Sequence, residues 1–427
     1  MAGELRRISS LLLGISIVLL GAGLLGTLIG VRASQEQFGP AMIGAIQALY
    51  FLGYVLGTYF CLFLIKRVGY IRVFATMTAL GAAAAIGYGM WVQPWFWAIL
   101  RLISGISMVG LYIVIESWLN TQSPHHSRGK IFAIYMSITL IALGLSQFLL
   151  LIESKEGIRF ALAAMLFSLA LIPVALTQVV EPELVATPQI RLKDLYFISP
   201  LGITAALVAG LISSAFWGMG AVFAHDIGLS VTEIPAFMSA VIFGGALLLW
   251  PVGQLSDRWD RRKILVLVSF TSAFAAFGVF MSVDGSLGVL LLLSFFYGGV
   301  SFSIYALAVA YLNDHLKAGE VLEATRGILL VYGIGSILGP IIVGFCMALW
   351  GPVALPGYLA IVLALLGLFG IYRALYSDPV PAEEQGEFIP MVRTSEAAFE
   401  MYPEADLELE LPLAPPVNSR EEKTRDA

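Results

Sequence analysis

A chain of 427 residues that is 59% hydrophobic, only 12% charged and has a mean hydropathy of +0.88 is not a soluble enzyme, a disordered chain or a nucleic-acid binder; soluble domains carry about 25% charged residues. The net charge of −5 is the sum of two regimes: residues 377–427 hold 13 acids and 4 bases, and the remaining 376 residues are net +4. The body reads as a mildly basic membrane protein and the tail as an acidic, solvated extension.

Charges punctuate the body at the spacing of helices that cross a bilayer, about 20 apolar residues each. Arg7 to Arg32 encloses 24 uncharged residues, too many for the core of a signal peptide, and predicts span 1. Glu36 to Lys66 and Arg72 to Arg101 hold spans 2 and 3. Span 4, about residues 97–119, contains both Arg101 and Glu116. Lys130 to Glu153 and Arg159 to Glu181 hold spans 5 and 6. After a polar stretch with Pro182 and Pro188, spans 7 to 10 lie between Asp194 and Asp314. The 46 residues from Arg326 to Arg373 are divided by Trp350-Gly351-Pro352 and Pro356-Gly357 into spans 11 and 12. The result is an all-α membrane protein of twelve transmembrane helices. It has six-helix halves at 8–177 and 198–376, a linker at 178–197 and a disordered acidic tail at 377–427. Twenty of the 24 Lys and Arg fall on the side of the termini, which predicts both termini in the cytoplasm.

The halves repeat their punctuation. Span 4 ends Trp118-Leu119-Asn120 and span 10 ends Tyr311-Leu312-Asn313. Spans 5 and 11 then open with Arg128-Gly129 and Arg326-Gly327. The loop after span 8, Gly253-Gln254-Leu255-Ser256-Asp257-Arg258-Trp259-Asp260-Arg261-Arg262-Lys263, has a weaker copy after span 2 that includes Arg67, Gly69 and Arg72. Repeats of the same sense in the membrane are parallel repeats.

That loop resembles the G-x-L-x-D-R-x-G-R-R signature of the major facilitator superfamily. Glu116-Ser117-Trp118-Leu119-Asn120, Arg128-Gly129, Gly53 to Gly57 and the glycine-studded span 1 resemble, more narrowly, its bacterial YcaD-like branch. The resemblance covers about residues 8–376. It implies two pseudo-symmetric bundles, a solute path lined by spans 1, 4, 7 and 10, and a gating role for Asp257, Arg258 and Arg261, with Arg67 in the first copy. In the family the loop aspartate anchors a neighbouring helix end. Two departures stand out: Asp260 replaces the loop glycine, and Lys66 replaces the aspartate of the first copy.

Ionisable side chains inside a membrane helix mark function by default. Arg101, Gly105, Met108, Tyr112 and Glu116 share one face of span 4. Glu116 is the candidate proton or cation carrier; the alternative is a structural pair with Arg128 or Lys130. Arg101 is the candidate partner of an anion or of the proton carrier; the alternative is snorkelling to the outer interface. Stripes of small and polar residues on spans 2, 5, 7 and 10 place Gln47, Tyr54, Gln147, Trp217, Ser301 and Tyr305 as candidate substrate contacts, together with Tyr112 on the face of span 4. Each stripe alone reads as helix packing. Span 5 lacks the Gly-Pro pattern of the family's antiporters. Cys61, Cys346 and the four histidines have no metal-site spacing, and no cofactor is expected. No Walker A sequence and no hydrolase constellation is present.

The expected function is secondary active transport of a small organic solute by alternating access. Coupling to a proton is expected, and the aromatic path favours efflux of a lipophilic compound. The expected setting is a monomer in a bacterial inner membrane, with no nucleic-acid partner. A competing reading is a receptor or scaffold of the same fold that has lost transport and signals through the acidic tail. The retained Asp257-Arg258 pair weighs against it.

Overall fold

The computed structural model describes residues 2–124, 128–152, 157–177, 192–316 and 321–376, with 381, 385–386, 388–391 and 395 of the tail. Among them are twelve helices long and apolar enough to cross a membrane, and no strand. The first half comprises α1 (Ala2–Gln35), α2 (Pro40–Val68), α3 (Tyr70–Met90), α4 (Pro94–Gln122), α5 (Arg128–Ser146, continued by a 3₁₀ turn to Leu151) and α6 (Ile158–Ala175). The second comprises α8 (Pro200–Asp226), α9 (Glu233–Arg258), α10 (Arg261–Met281), α11 (Leu287–Ser301), α12 (Ser303–Asn313), α13 (Val321–Trp350) and α14 (Ala354–Tyr376). A short helix, α7 (Leu192–Ile198), precedes it; the rest of the expected linker, 178–191, lies outside the described residues.

Local chemistry sets the boundaries. Pro40, Pro94 and Pro200 occupy first turns, where a missing N–H breaks no helical bond. Gly351 has φ 80° and ends α13 where the sequence places a break. One feature was hidden in the sequence: span 10 is two helices, α11 and α12, interrupted at Phe302.

The pairing of helices follows the repeat. α2 packs on α4 as α9 packs on α11, and α3 on α6 as α10 on α14. Across the molecule, α2 meets α13 and α9 meets α5, the exchange a two-fold relation demands. Twelve spans bring both termini to one side, here the terminal side; the other is the far side.

Direct contact between the halves is close on the far side. A Cβ on Gly44 would run into the Pro340 carbonyl oxygen and lie 3.1 Å from the Gly344 Cα. A Cβ on Gly30 would lie 3.2 Å from that of Ala221. The Ser239 hydroxyl donates to the Gly144 carbonyl at 3.0 Å. On the terminal side, described tail residues are buried: Ile389, Met391 and Ser395 have 4% or less of their surface exposed. This part of the tail is therefore packed rather than solvated. Its apolar Phe388-Ile389-Pro390-Met391 run interrupts the acidic composition.

The glycine seal makes a prediction. Gly44→Val overfills a backbone contact with no side chain able to yield, so it should cost about 1–3 kcal/mol. A lowered melting temperature of the purified protein checks this; an unchanged one shows that the α2–α13 approach is looser than described.

Candidate functional site

Two backbone-level contacts build the centre of the first half. A Cβ on Gly53 would strike the Leu102 carbonyl, and one on Gly105 the Tyr50 carbonyl. That approach lays α4 against α2 and brings Arg101 to Gln47. Arg101 is 6% exposed, and its Nη2 donates to Gln47 Oε1. Its guanidinium carbon lies 5.2 Å from the centroid of the Tyr50 ring, a cation–π geometry. Arg101 points into the protein and does not snorkel.

These groups line a cavity between the halves. Thr27, Gln47, Tyr50, Arg101 and Tyr112 face it from one half, and Trp217 and Met238 from the other. Trp217 is held by Phe302, whose ring stacks on it with centroids 6.2 Å apart. The break in span 10 thus falls at the residue that supports the cavity wall. Gln147 stands behind it and accepts a 2.5 Å hydrogen bond from the Thr27 hydroxyl. Among the described lining residues Arg101 alone is charged.

Not every candidate gathers there. Tyr54 lines a second space toward the terminal side, with Phe51, Thr58, Arg326, Tyr332 and Ser395. Ser301 and Tyr305 line a smaller space within the second half, beside Ser213 and Tyr332. The stripes on spans 2 and 10 therefore serve different spaces.

Glu116 is fully buried, deeper than a side chain one turn from a helix end is expected to be. The Tyr135 hydroxyl donates to its Oε1 at 2.9 Å. Its Oε2 accepts from the Ser395 N–H at 2.8 Å and the Ser395 hydroxyl at 2.5 Å. No base pairs with it among the described residues, so the expected alternative of a pair with Arg128 or Lys130 is not what the structure contains. Tyr50, Tyr54 and Tyr112 form a run of rings, with neighbouring centroids 6.4 and 6.3 Å apart, between the surroundings of Arg101 and those of Glu116.

The signature loop is two residues long, Trp259 and Asp260, because α9 runs to Arg258 and α10 starts at Arg261. Its hub is Arg261. Nη1 donates to both carboxylate oxygens of Asp314, at 2.6 and 2.7 Å, and to the Ala310 carbonyl at 3.1 Å. Nε donates to the Ser256 hydroxyl. Nη2 reaches Asp257 at 3.3 Å and the Gly386 carbonyl at 2.7 Å. Asp257 also accepts the Phe388 N–H at 2.8 Å. It holds the tail, where the family pattern led one to expect a neighbouring helix end. Arg67 and Arg258 are exposed and lie outside this cluster.

Asp260, the departure from the family glycine, caps α10: its carboxylate accepts the Arg262 N–H at 3.0 Å. Burial pushes this carboxyl up, but the hydrogen bonds from Arg262 and the charges of Arg262 and Lys263 outweigh it and hold it below the usual range. Asp314 goes the other way: burial pushes its carboxyl up, against the pull of Arg261. Sequence reading treated Asp314 only as the end of span 10; an acid directly after the repeated Asn stop was the available signal. Tyr50 was legible as part of a polar stripe, and Thr27 carried no signal. Ser395 was masked by the acidic average of the tail.

Two pseudo-symmetric bundles, a largely apolar cavity between them with Arg101 on its wall, and close contact on one face define a membrane carrier. The family model of the Major Facilitator Superfamily matches residues 11–205 and 202–402, and the chain belongs to that superfamily. It is 26% identical to "Uncharacterized MFS-type transporter YcaD" of Salmonella arizonae over 339 residues, 78% of this chain and 87% of that protein. The Salmonella typhimurium protein of the same name is 25% identical over the same length. Among solved structures, the nucleoside transporter NupG superposes with a TM-score of 0.70 at 16% identity, covering 88% of this chain and 100% of that one. A bacterial homologue of the human lysosomal transporter Spinster, inward-facing and unoccupied, gives 0.67 at 14% identity, with coverages of 87% and 95%.

The hub makes the next prediction. Arg261→Gln leaves Asp314 buried without its cation and should cost about 3–5 kcal/mol. The sign with pH follows from the raised carboxyl. A group raised in the fold contributes most while protonated, and that contribution is lost as pH rises through its folded value. Removing Arg261 raises it further. The drop in melting temperature should therefore be larger at pH 8 than at pH 5; a drop equal at both shows that Asp314 is not the group left stranded.

Proposed function

We propose that the protein carries a small aromatic organic anion across the membrane by alternating access, in exchange for or together with a proton. The observation that carries this reading is the buried Arg101. A cation placed on the wall of a low-dielectric cavity, over Tyr50 and opposite Trp217, favours a flat solute bearing a negative or strongly accepting group. Gln47 holds the guanidinium, Tyr112 and Trp217 supply apolar surface, and Gln147 fixes the wall through Thr27. Ser301 and Tyr305 act on the second half's own packing.

The proton falls to Glu116. It lies fifteen residues from Arg101, about 22 Å along the helix, too far to be neutralised by it. A carboxylate buried this deeply changes its hydrogen-bond partners only at a cost, which suits a group that cycles with the conformation. The excess of bases on the terminal side supports cytoplasmic termini in a bacterial inner membrane. The lipophilic lining supports export.

Purified protein in liposomes with a trapped pH-sensitive dye tests this. Gradients of aromatic carboxylates should move protons, and matched aromatic cations and sugars should not. Arg101→Gln should lower the anion's kcat/KM about 10- to 100-fold, the worth of a lost hydrogen bond to a charged group. Glu116→Gln should abolish proton movement while solute exchange persists. Transport of the cations alone overturns the substrate class, and pH-driven transport that survives Glu116→Gln overturns the coupling.

A further inference from the structure

We propose that the described tail residues between 385 and 395 form an intramolecular strap that fills the gap between the halves on the terminal side and locks the carrier with its far side closed. The strap is bonded to both halves. At one end the Gly386 N–H donates to Asp314 at 3.1 Å and its carbonyl accepts from Arg261 at 2.7 Å, while the Phe388 N–H donates to Asp257. All of these partners belong to the second half. At the other end Ser395 donates twice to Glu116, on α4 of the first half. The seven residue steps from Phe388 to Ser395 reach at most about 25 Å when extended, enough to cross between bundles.

The contact is fitted as well as bonded. The Phe388 ring occupies the place a side chain at Gly253 would need. Phe388 is 9% exposed, Ile389 4%, Met391 0% and Ser395 2%. Ser395 is also a wall of the terminal-side space beside Tyr54 and Tyr332. The second half recognises the strap through the backbone groups of Gly386 and Phe388 and through the Phe388 ring. Glycine contacts close the far side. For the far side to open, the halves must close on the terminal side, where the strap lies. The strap therefore opposes the conformational change at every point where it is bonded.

Two readouts that need no substrate test this in the full-length protein in liposomes, after Cys61→Ser and Cys346→Ser. In the first, Met391→Cys should be protected from a water-soluble maleimide relative to the same protein denatured. Phe388→Asp with Ser395→Ala should raise its labelling rate about tenfold or more, the effect of losing a hydrogen bond to a buried carboxylate. In the second, spin labels at Gln35→Cys and Val231→Cys report the far side. The intact chain should give one short distance, and the Phe388→Asp/Ser395→Ala chain should add a longer one. Both substitutions lie outside the helices, so the fold persists, and Ser395→Thr should restore protection. Met391→Cys that labels as fast as in denatured protein overturns the strap. Lost protection with an unchanged far-side distance overturns its locking role. Failure of the anion assay leaves both readouts intact, so the two readings fail separately.

Discussion

A guanidinium that is 1% exposed cannot shed its charge, and everything around Arg261 follows from that constraint. Taking such an ion out of water costs several kcal/mol unless its donors are matched. The match here draws on four parts of the chain: Ser256 and Asp257 at the end of α9, Ala310 in α12, Asp314 just beyond it, and Gly386 in the tail. The arginine is thus a junction between these parts. Asp314, whose side chain is also 1% exposed, is the partner that makes the burial tolerable, whereas Asp257, at 39%, remains within reach of water. The signature loop contributes the ends of two helices that meet at this point, and Asp260 secures the second of them by capping it.

The two faces of the carrier are closed by different physics. Between helices in a bilayer there is no hydrophobic drive to associate, so close packing of small residues has to serve. Gly30, Gly44, Gly144 and Gly344 supply it on the far side. On the terminal side the halves are joined through charged and polar groups whose partners are the tail's backbone groups and the hydroxyl of Ser395. A steric seal is released by a small separation of the bundles. A hydrogen-bonded strap is released only when every carboxylate it satisfies finds a substitute.

The fold was legible because hydropathy and charge spacing report membrane crossing directly, and the repeated Asn stops and signature loop reported the two halves. The break at Phe302 was not legible, since the run from Leu287 to Asn313 holds no proline and no charge to mark it. Arg101 and Glu116 stood out as ionisable groups in an apolar helix. Their partners did not, because Gln47 lies 54 residues from Arg101 and Ser395 lies 279 residues from Glu116. Periodicity describes one helix at a time and says nothing about which helices meet. The family pattern drew attention to Asp257, Arg258 and Arg261; of these Arg261 is buried, and its buried partner Asp314 was not among them. Within the tail, most of which lies outside the described residues, the average of thirteen acids over residues 377–427 concealed four consecutive residues suited to a buried surface.

Glu116 is where the transport reading and the strap meet. In the resting arrangement its carboxylate is satisfied by three donors, one from Tyr135 and two from Ser395. A charged carboxylate in low dielectric is stable only while such donors are present. When the strap leaves, two of the three go with it. The carboxylate then compensates by taking a proton or by admitting water, and closure of the terminal side removes the water. On the proposed coupling, the bonded tail and a proton both act on the Glu116 carboxylate. On the proposed coupling, turnover follows release of the tail from this carboxylate.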